Sequence, residues 1–332
     1  MAEPLLSIRG LEVRFGATHY TVRALDGVNL DLYRGRVLGV VGESGCGKSV
    51  TARAALRILD HPGRIVAGRI LLDPGSAAVT DIAALRADSP RMRAIRGGRI
   101  GLIFQEPMTA LSNHYTIGNQ IIEAIRVHAP LSAAAARTRA IELLADVGIP
   151  RPASGIGAYP FQLSGGLRQR VGIALALAGD PDILIADEPT TALDVTTQAQ
   201  ILALLHRLQR DRQIALMLIT HDMGVIAEMA DDVAVMYLGR VVEAAPVREL
   251  FAAPHHPYTR ALLRSVPSIF ATPRQRLATI GGAVPHPSVR PGGCPFHPRC
   301  PEAIPGRCAN EVPDPVPPGG VGASCILEQA PA

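Results

Sequence analysis

Hydrophobic and polar residues alternate along much of the first 41 positions of the chain. Residues 6–8 and 11–13 follow this period of two, and residues 28–32 follow it more cleanly. A period of two is typical of strands with one buried face. The run at 37–41 is hydrophobic apart from one glycine, as in a strand buried on both faces, and Arg34-Gly35 predicts a turn into it.

Beyond residue 60 the pattern changes to loops, short apolar runs and helical periodicity. Residues 60–99 are rich in loop signals apart from a strand predicted at 69–72, and further strands are predicted at 99–104, 182–187 and 214–219. Apolar residues recur at helical spacing through 117–148, and Asn, Gly and Pro flank this stretch. The order of elements predicts an α/β fold with a helical subdomain inserted into its core.

The strand at 37–41 leads into a loop that reads G-x-x-x-x-G-K-S, and a helix-compatible segment follows at 50–59. This context is typical of a phosphate-binding loop, whose backbone N–H groups surround the β-phosphate at the start of a helix. In such a loop Lys48 reaches the β- and γ-phosphates, and the Ser49 hydroxyl binds Mg²⁺. The predicted nucleotide-binding residues here are Gly42, Glu43, Ser44, Gly45, Cys46, Gly47, Lys48, Ser49 and Val50.

Lys48 is the only lysine among the 33 basic residues of the chain. A compact ammonium fits between phosphates, where a planar guanidinium does not. The alternative is a glycine-rich turn without a ligand, but a composition that uses arginine everywhere else favours the nucleotide.

Polar residues follow three of the predicted strands. Gln105 comes after the strand at 99–104, Asp187 and Glu188 end the strand at 182–187, and His221 follows the strand at 214–219. Ligands of open α/β sheets bind at the carboxyl ends of strands. Because neighbours on a strand point to opposite faces, we predict that Asp187 binds Mg²⁺ through water and Glu188 polarises the attacking water. Gln105 is predicted to reach Mg²⁺ and this water; a structural role for His221 is the alternative to a catalytic one.

Two further sites complete the predicted nucleotide contacts. Ser164 is a good N-cap, and Gly165 and Gly166 leave bare amides at the start of a helix predicted to reach about residue 179. An anion site is the functional interpretation, and an ordinary capped helix is the structural one. Phe15 or Tyr20, after the early strands, is a candidate to stack on adenine, and a core or edge aromatic is the alternative for each.

Together these motifs resemble, in their order along residues 5 to about 245, the ATP-binding subunit of an ABC transporter. The signature sequence at 163–167 is the most specific of them. The resemblance implies a P-loop ATPase core with a mixed sheet and an antiparallel β subdomain, ATP and Mg²⁺ as cofactors, and Asp194 as a further contact. It also implies that ATP lies between the phosphate loop of one subunit and the signature of another, so this chain carries two half-sites.

Other motifs look like those of the dipeptide and oligopeptide importer branch. They are the stretch at 104–111, Tyr159-Pro160, the stretch at 256–259, and 289–291 before the cysteines; Ser112-Asn113-His114 departs from the usual Leu-Asn-Pro. The resemblance implies import of peptides, with nickel or glutathione as alternative cargoes. It implies two multispanning permease subunits, an extracytoplasmic solute-binding protein, and a second, paralogous ATPase subunit. A non-transport ABC ATPase and an exporter-type ATPase are the other classes.

We predict an ATP-binding domain over residues 1–245, with its helical subdomain at about 106–178, and a C-terminal extension over 246–332.

No signal peptide is recognisable in residues 1–10, and the longest apolar runs, such as 173–178, fall short of the roughly 20 residues of a membrane span. The net charge of +4 comes without a lysine-rich stripe or aromatic platform for nucleic acid. These features predict a soluble, cytoplasmic protein, and the resemblance to ABC importers implies a peripheral position on the cytoplasmic face of the inner membrane.

Four of the five cysteines, Cys294, Cys300, Cys308 and Cys325, lie in a segment rich in proline and glycine. We name residues 285–325 the cysteine segment. Because the cysteine segment has so few apolar residues, we predict that a bound metal orders it. Disulfides are disfavoured in a reducing cytosol. Unequal spacings, with proline after the first two cysteines, favour an iron–sulfur cluster over zinc, which usually shows closer pairs. The importer branch, some of whose members carry a [4Fe-4S] cluster here, implies the same.

Overall fold

The computed structural model describes residues 3–16, 21–266 and 279–329. Tyr20, one of the two candidates for the adenine contact, lies outside them. The chain divides into two compact units: the first comprises residues 1–32, 37–84 and 220–332, and the second comprises 33–36 and 85–219. The domain boundary at 245 and the limits of the helical subdomain stay predictions.

The strands are β1 (Leu6–Phe15), β2 (Val22–Leu32), β3 (Val37–Val41), β4 (Arg64–Leu72), β5 (Thr80–Asp81), β6 (Ile100–Ile103), β7 (Ile183–Asp187), β8 (Ala215–Ile219), β9 (Asp232–Tyr237), β10 (Arg240–Pro246) and β11 (Gly322–Ala323). The helices are α1 (Lys48–Ala55), α2 (Pro90–Ile95), α3 (Ile117–His128), α4 (Ala133–Asp146), α5 (Pro152–Gly155), α6 (Gly165–Ala176), α7 (Val195–Arg212), α8 (Met223–Met229), α9 (Val247–Ala252) and α10 (Pro257–Ser265).

The first unit contains an antiparallel sheet of strand order β2-β1-β4-β5. The two short strands predicted at 6–8 and 11–13 form one strand, β1, whose register shifts between Ile8 and Leu11. Gly10 lies at this shift with a φ of 55°, a conformation that glycine adopts without strain. The bulge explains why the sequence pattern breaks there.

A second group of strands in the first unit carries the phosphate loop. β3 pairs in parallel with β9, β9 pairs antiparallel with β10, and β10 pairs antiparallel with β11 of the cysteine segment. All five residues of β3 are buried, as the apolar pattern predicts. The sequence reasoning did not predict β9 and β10, although their residues are largely buried.

The second unit contains the parallel strands β6, β7 and β8, paired in that order. Every residue of β7 and β8 is buried, which places Asp187 at the end of an apolar strand. Helices α3 and α4 occupy the stretch predicted to be helical at 117–148, and α6 begins directly after Ser164. Side-chain oxygens of Thr116, Ser132 and Ser164 accept backbone N–H bonds at the starts of these helices.

Candidate functional site

The phosphate loop joins β3 to α1, and two of its glycines have no room for a side chain. Gly42 and Gly47 have φ angles of 153° and 106°, which favour glycine. A Cβ atom on Gly42 would lie 2.2 Å from the Met236 carbonyl oxygen, and one on Gly47 would lie 2.8 Å from the Ala24 carbonyl oxygen. The glycine spacing of the motif is therefore required by the packing of the loop.

Lys48 is the first residue of α1, and its side chain folds back over the loop. Its Nζ lies 2.7 Å from the Gly42 carbonyl oxygen, 3.2 Å from the Glu43 carbonyl oxygen and 3.8 Å from Cys46 Sγ. Only 5% of the residue is exposed. The loop thus places a buried ammonium among its own carbonyls, where a phosphate oxygen can replace them as its partner. Burial also raises the pKa of the Cys46 thiol, which stays protonated beside this charge.

Sequence reasoning missed two contacts that fix Glu43 in the loop. Its backbone N–H donates to Tyr258 Oη at 2.9 Å, and its carboxylate accepts hydrogen bonds from both Nη atoms of Arg299, at 2.8 and 3.1 Å. This carboxylate raises the pKa of Arg299 above its usual value. Tyr258 belongs to a stretch that marks the importer branch, but no local signal pointed to Arg299.

In the second unit the structure brings Gln105 and Glu188 together. Gln105 Nε2 donates to Glu188 Oε2 at 3.2 Å, and Thr191 Oγ1 donates to the same oxygen at 3.0 Å. Glu188 has a φ of 47°, and its N–H donates to the Ile219 carbonyl at the end of β8. Backbone strain of this kind is concentrated at functional sites. The arrangement fixes one carboxylate oxygen directly after the end of the strand β7.

Asp187 and Glu188 differ in environment. Asp187 is the last residue of β7 and is 6% exposed, whereas Glu188 is half-buried beyond the strand end. The buried carboxylate suits a fixed metal-bound water, and the more exposed one suits a reacting water.

The signature and the Asp194 motif also meet in the second unit. Ser164 caps α6 by accepting the Leu167 N–H, and Asp194 caps α7 by accepting the N–H and the hydroxyl of Thr197 at 3.0 and 2.6 Å. These bonds lower the pKa of Asp194. A Cβ atom on Gly166 would lie 2.6 Å from Thr197 Cγ2. Gly165 is exposed, so its amide is accessible to an anion.

The remaining predicted site residues lie in the first unit. Phe15 ends β1 with its ring half-buried, and a Cβ atom on Gly63 would lie 2.5 Å from its Cε1. His221 is exposed and precedes Asp222, which caps α8. Both lie in the same unit as the phosphate loop, whereas Gln105, Asp187, Glu188, the signature and Asp194 lie in the other.

The four cysteines of the tail lie within one folded segment. Cys294 N–H donates to the Cys308 carbonyl at 2.9 Å, and Cys308 Sγ accepts the Ile304 N–H at 3.3 Å. Burial and then neighbouring thiols raise the pKa values of Cys294 and Cys325, and burial chiefly raises that of Cys300, to about 11. No disulfide joins them, and no group of three or more His, Cys, Asp or Glu side chains within residues 3–16, 21–266 and 279–329 is arranged to hold a metal ion.

Comparison with known proteins shows which family this chain belongs to. A family model described as "ABC transporter" matches residues 25–191, half of the chain. The "Dipeptide transport ATP-binding protein DppD" of Escherichia coli (strain K12) is 47% identical over 309 residues, 93% of this chain and 92% of that protein. The chain belongs to the ABC transporter family. As a member it is an ATP-hydrolysing transporter subunit.

Further matches show which branch of the ABC transporter family this chain resembles. Residues 242–308 match a model described as "Oligopeptide/dipeptide transporter, C-terminal region". The "Probable peptide ABC transporter ATP-binding protein y4tR" of Sinorhizobium fredii (strain NBRC 101917 / NGR234) is 48% identical over 313 residues, 94% of this chain and 91% of that protein. The resemblance of this ABC protein to the dipeptide and oligopeptide branch is therefore confirmed.

Solved structures of ABC proteins share the fold. The ATP-binding cassette MJ0796, solved as a dimer bound to ADP and Pi in a post-hydrolysis state, is 28% identical with a TM-score of 0.62 over 73% of this chain and 99% of that one. CbiO1 from Clostridium perfringens, part of the ABC transporter complex cbiONQ, is 29% identical with a TM-score of 0.63 over 76% of this chain and 92% of that one. The predicted P-loop ATPase fold is confirmed. None of the helices in the part of the chain that the structure describes has the length and apolar content needed to cross a membrane.

Proposed function

We propose that this chain is the ATPase subunit of an importer for dipeptides and oligopeptides. Two relatives that are about half identical over most of the chain are a dipeptide transport ATP-binding protein and a probable peptide ABC transporter ATP-binding protein. The observation that carries ATP hydrolysis is the Gln105–Glu188 hydrogen bond, made by a carboxylate on a strained residue. Nickel and glutathione are the alternative cargoes, and a non-transport ABC ATPase is the alternative class.

Each nucleotide motif has a stated role in this proposal. Lys48 and the amides of the phosphate loop bind the β- and γ-phosphates, and Ser49, Gln105 and Asp187 bind Mg²⁺ directly or through water. Glu188 polarises the attacking water as general base, with Gln105 orienting its carboxylate. His221 positions this water against the γ-phosphate, and Phe15 stacks on adenine. The strain at Glu188 and the burial of Asp187 support the division of labour between the two acids.

The signature serves the nucleotide of a second ATPase subunit. The exposed amide of Gly165 at the start of α6, and the cap of α7 at Asp194, support a contact with an anion supplied by a partner. We propose that the partner is a paralogous chain, as is common in peptide importers. ATP binding then closes the pair, and loss of the γ-phosphate contacts reopens it.

Two multispanning permease subunits, with an extracytoplasmic solute-binding protein, complete the importer that we propose. The subunit acts from the cytoplasmic face of the inner membrane, and its helical subdomain transmits closure to the permeases. Family membership supports this arrangement.

We also propose that Cys294, Cys300, Cys308 and Cys325 bind a [4Fe-4S] cluster, with zinc as the alternative. Four cysteine side chains match the ligand chemistry of such a cluster, and the 2.9 Å hydrogen bond from the Cys294 N–H to the Cys308 carbonyl supports the proximity of two of them. The side chains as they stand do not form a metal-binding group. When bound, the cluster would cross-link the cysteine segment, and no step of ATP hydrolysis passes through it.

The test is reconstitution of the chain with its partner ATPase and permeases in liposomes. Solute-binding protein loaded with a dipeptide should stimulate ATP hydrolysis more than the unloaded binding protein does. Stimulation by a nickel- or glutathione-loaded binding protein instead would show that the cargo is nickel or glutathione and not a peptide. Failure of the chain to co-purify with any multispanning protein would overturn the importer assignment.

A further inference from the structure

Arg299, in the cysteine segment, forms a bidentate ion pair with Glu43 of the phosphate loop. Arg299 Nη1 lies 2.8 Å from Glu43 Oε2, and Nη2 lies 3.1 Å from Oε1. The Arg299 side chain is 3% exposed and that of Glu43 is 26% exposed. Bidentate, largely desolvated pairs of this kind fix geometry as well as charge, unlike exposed surface pairs.

Every part of the Arg299 guanidinium has a partner in the first unit. Nε donates to the Gly281 carbonyl at 2.9 Å, and Nη1 also approaches Tyr237 Oη at 3.4 Å. The guanidinium carbon lies 5.8 Å from the centre of the Tyr237 ring and 6.0 Å from that of Phe296. Arg299 therefore has one well-defined position from which it reaches the loop.

An aromatic cluster anchors this position. The rings of Tyr237, Tyr258 and Phe296 lie with centroids 4.7 to 5.3 Å apart, and all three residues are at most 1% exposed. Phe296 belongs to the cysteine segment, whereas Tyr237 ends β9 and Tyr258 lies in α10. Tyr258 also accepts the backbone N–H of Glu43 at 2.9 Å. The cysteine segment is thus packed against the residues that fix the loop.

Glu43 connects this cluster to Lys48. Its carbonyl oxygen is 3.2 Å from Lys48 Nζ, while its N–H and carboxylate are bound to Tyr258 and Arg299. A displacement of Glu43 would therefore move a partner of the ammonium that binds the phosphates. In addition, a carboxylate beside the loop would repel the triphosphate of ATP unless a cation neutralised it.

We propose that Arg299 is a positioning residue for ATP hydrolysis, which neutralises and orients Glu43 so that the phosphate loop accepts MgATP. The cysteine segment thereby sets the nucleotide affinity of the loop, although it contains no residue of the ATP motifs. The inference uses the ATPase activity of the family and depends neither on peptide transport nor on an iron–sulfur cluster.

The test compares MgATP binding by the full-length chain and its Arg299→Ala, Glu43→Gln and double variants. Arg299→Ala should weaken MgATP binding about 10- to 100-fold, because it leaves the carboxylate uncompensated. The defect should appear in KM more than in kcat and should shrink as salt is raised, since screening weakens repulsion. Glu43→Gln in the Arg299→Ala background should restore most of the affinity.

Arg307→Ala is the matched control. Arg307 makes a bidentate pair with Glu311 inside the same segment, through Nε at 2.9 Å and Nη2 at 2.8 Å, and both side chains are half exposed. The same truncation there should leave MgATP affinity within about twofold of wild type. A packing defect of the segment would instead affect both variants and would not respond to salt.

Two further variants keep the proposal falsifiable if Arg299→Ala fails to fold. Arg299→Lys retains the charge but not the two-pronged geometry, so it should show a smaller, salt-sensitive loss of affinity. Glu43→Gln alone removes the repelling charge together with the ion pair that orients the loop, so its loss of MgATP affinity should be smaller than that of Arg299→Ala. Unchanged binding in Arg299→Ala, a loss in Glu43→Gln as large as that in Arg299→Ala, or a double variant no better than Arg299→Ala would each overturn the proposal.

Discussion

Gln105 Nε2 donates a 3.2 Å hydrogen bond to Oε2 of Glu188, and the two residues follow the neighbouring parallel strands β6 and β7. Because carboxyl ends of parallel strands meet at one edge of a sheet, this pair is the expected consequence of the strand order. The bond, with that from Thr191 Oγ1, fixes the Oε2 oxygen of the carboxylate. Because of this hydrogen bond, a substitution of Glu188 is the most direct test of the proposed catalytic site.

Glu188→Gln should bind MgATP but lose roughly 10²- to 10⁴-fold in hydrolysis, the usual contribution of a general base. The amide keeps the shape of the side chain, so the loss reports on proton acceptance. Single-turnover hydrolysis and nucleotide binding should be measured on the same protein. Glu142→Gln is the control, because Glu142 is an exposed partner of Arg139 in the same unit. A Glu188→Gln protein with normal turnover would contradict the assignment.

The site was predictable where a local motif imposes its geometry. The phosphate loop follows from its glycines, which the backbone angles and close contacts at Gly42 and Gly47 require. The buried strands β3, β7 and β8 follow from apolar runs, and the ends of these runs placed Asp187 and Glu188.

The contact between Arg299 and Glu43 was not predictable in this way. The residues are 256 positions apart, and Arg299 is one of 32 arginines, since Lys48 is the single lysine among 33 basic residues. The contact depends on the packing of Phe296 against Tyr237 and Tyr258, which no local periodicity encodes. Long-range pairing of a segment without regular structure leaves no pattern in the sequence.

Lys48→Arg should abolish ATPase activity and weaken nucleotide binding. The Lys48 side chain occupies a buried position with Nζ within 3.2 Å of two loop carbonyls, and a planar guanidinium is wider than this space. Steady-state ATPase activity and MgATP binding are the measurements. Arg53→Lys, in the same helix and paired with exposed Asp60, is the reverse exchange and serves as control. Near-normal turnover in Lys48→Arg would remove the phosphate-loop assignment.

Gly166→Ala should disturb the signature through Thr197. The added Cβ would lie 2.6 Å from Thr197 Cγ2, and this threonine is fixed by two hydrogen bonds to Asp194. Loss of that cap should cost about 1 kcal/mol of stability, and ATPase activity of the assembled transporter should fall.

Gly172→Ala, in the same helix, is the matched control, since apart from its chain neighbours and the adjacent helix backbone no described atom lies within 4 Å of its Cβ position. There the substitution should raise stability by up to about 1 kcal/mol through helix propensity. Thermal unfolding and ATPase activity separate the two variants. Equal behaviour of both would show that Gly166 is not constrained.

His256 predicts a pH dependence of stability in the first unit. Burial, and secondarily the charge of Arg260, lowers the pKa of His256 from 6.5 to about 4, and its Nδ1 accepts the Tyr258 N–H. The unfolded chain therefore binds a proton between about pH 6.5 and 4 that the folded chain does not. The free energy of unfolding should fall through this window as pH decreases, with a contribution on the order of 3 kcal/mol.

Denaturant unfolding of His256→Asn against wild type isolates this contribution. Asparagine retains an acceptor for the Tyr258 N–H but does not titrate, so the variant should lose less stability between pH 6.5 and 4. His255→Asn, at an exposed neighbour paired with Glu328, controls for loss of a histidine from this stretch. Parallel curves for His256→Asn and wild type would contradict the prediction.

The cluster proposed for the cysteine segment gives the last prediction. Anaerobically purified protein should be brown, absorb near 400 nm as such clusters do, and contain about four irons per chain. Cys300→Ser should bleach the protein and make residues 285–325 more sensitive to protease, because it removes one of the four proposed cluster ligands. Cys300 is the least buried of the four thiols and lies next to Arg299. Cys46→Ser, outside the segment, should leave iron content unchanged. Stoichiometric zinc without iron would show that the cysteines form a zinc site and not a cluster. A colourless, protease-resistant segment with four reactive thiols would contradict any metal site there.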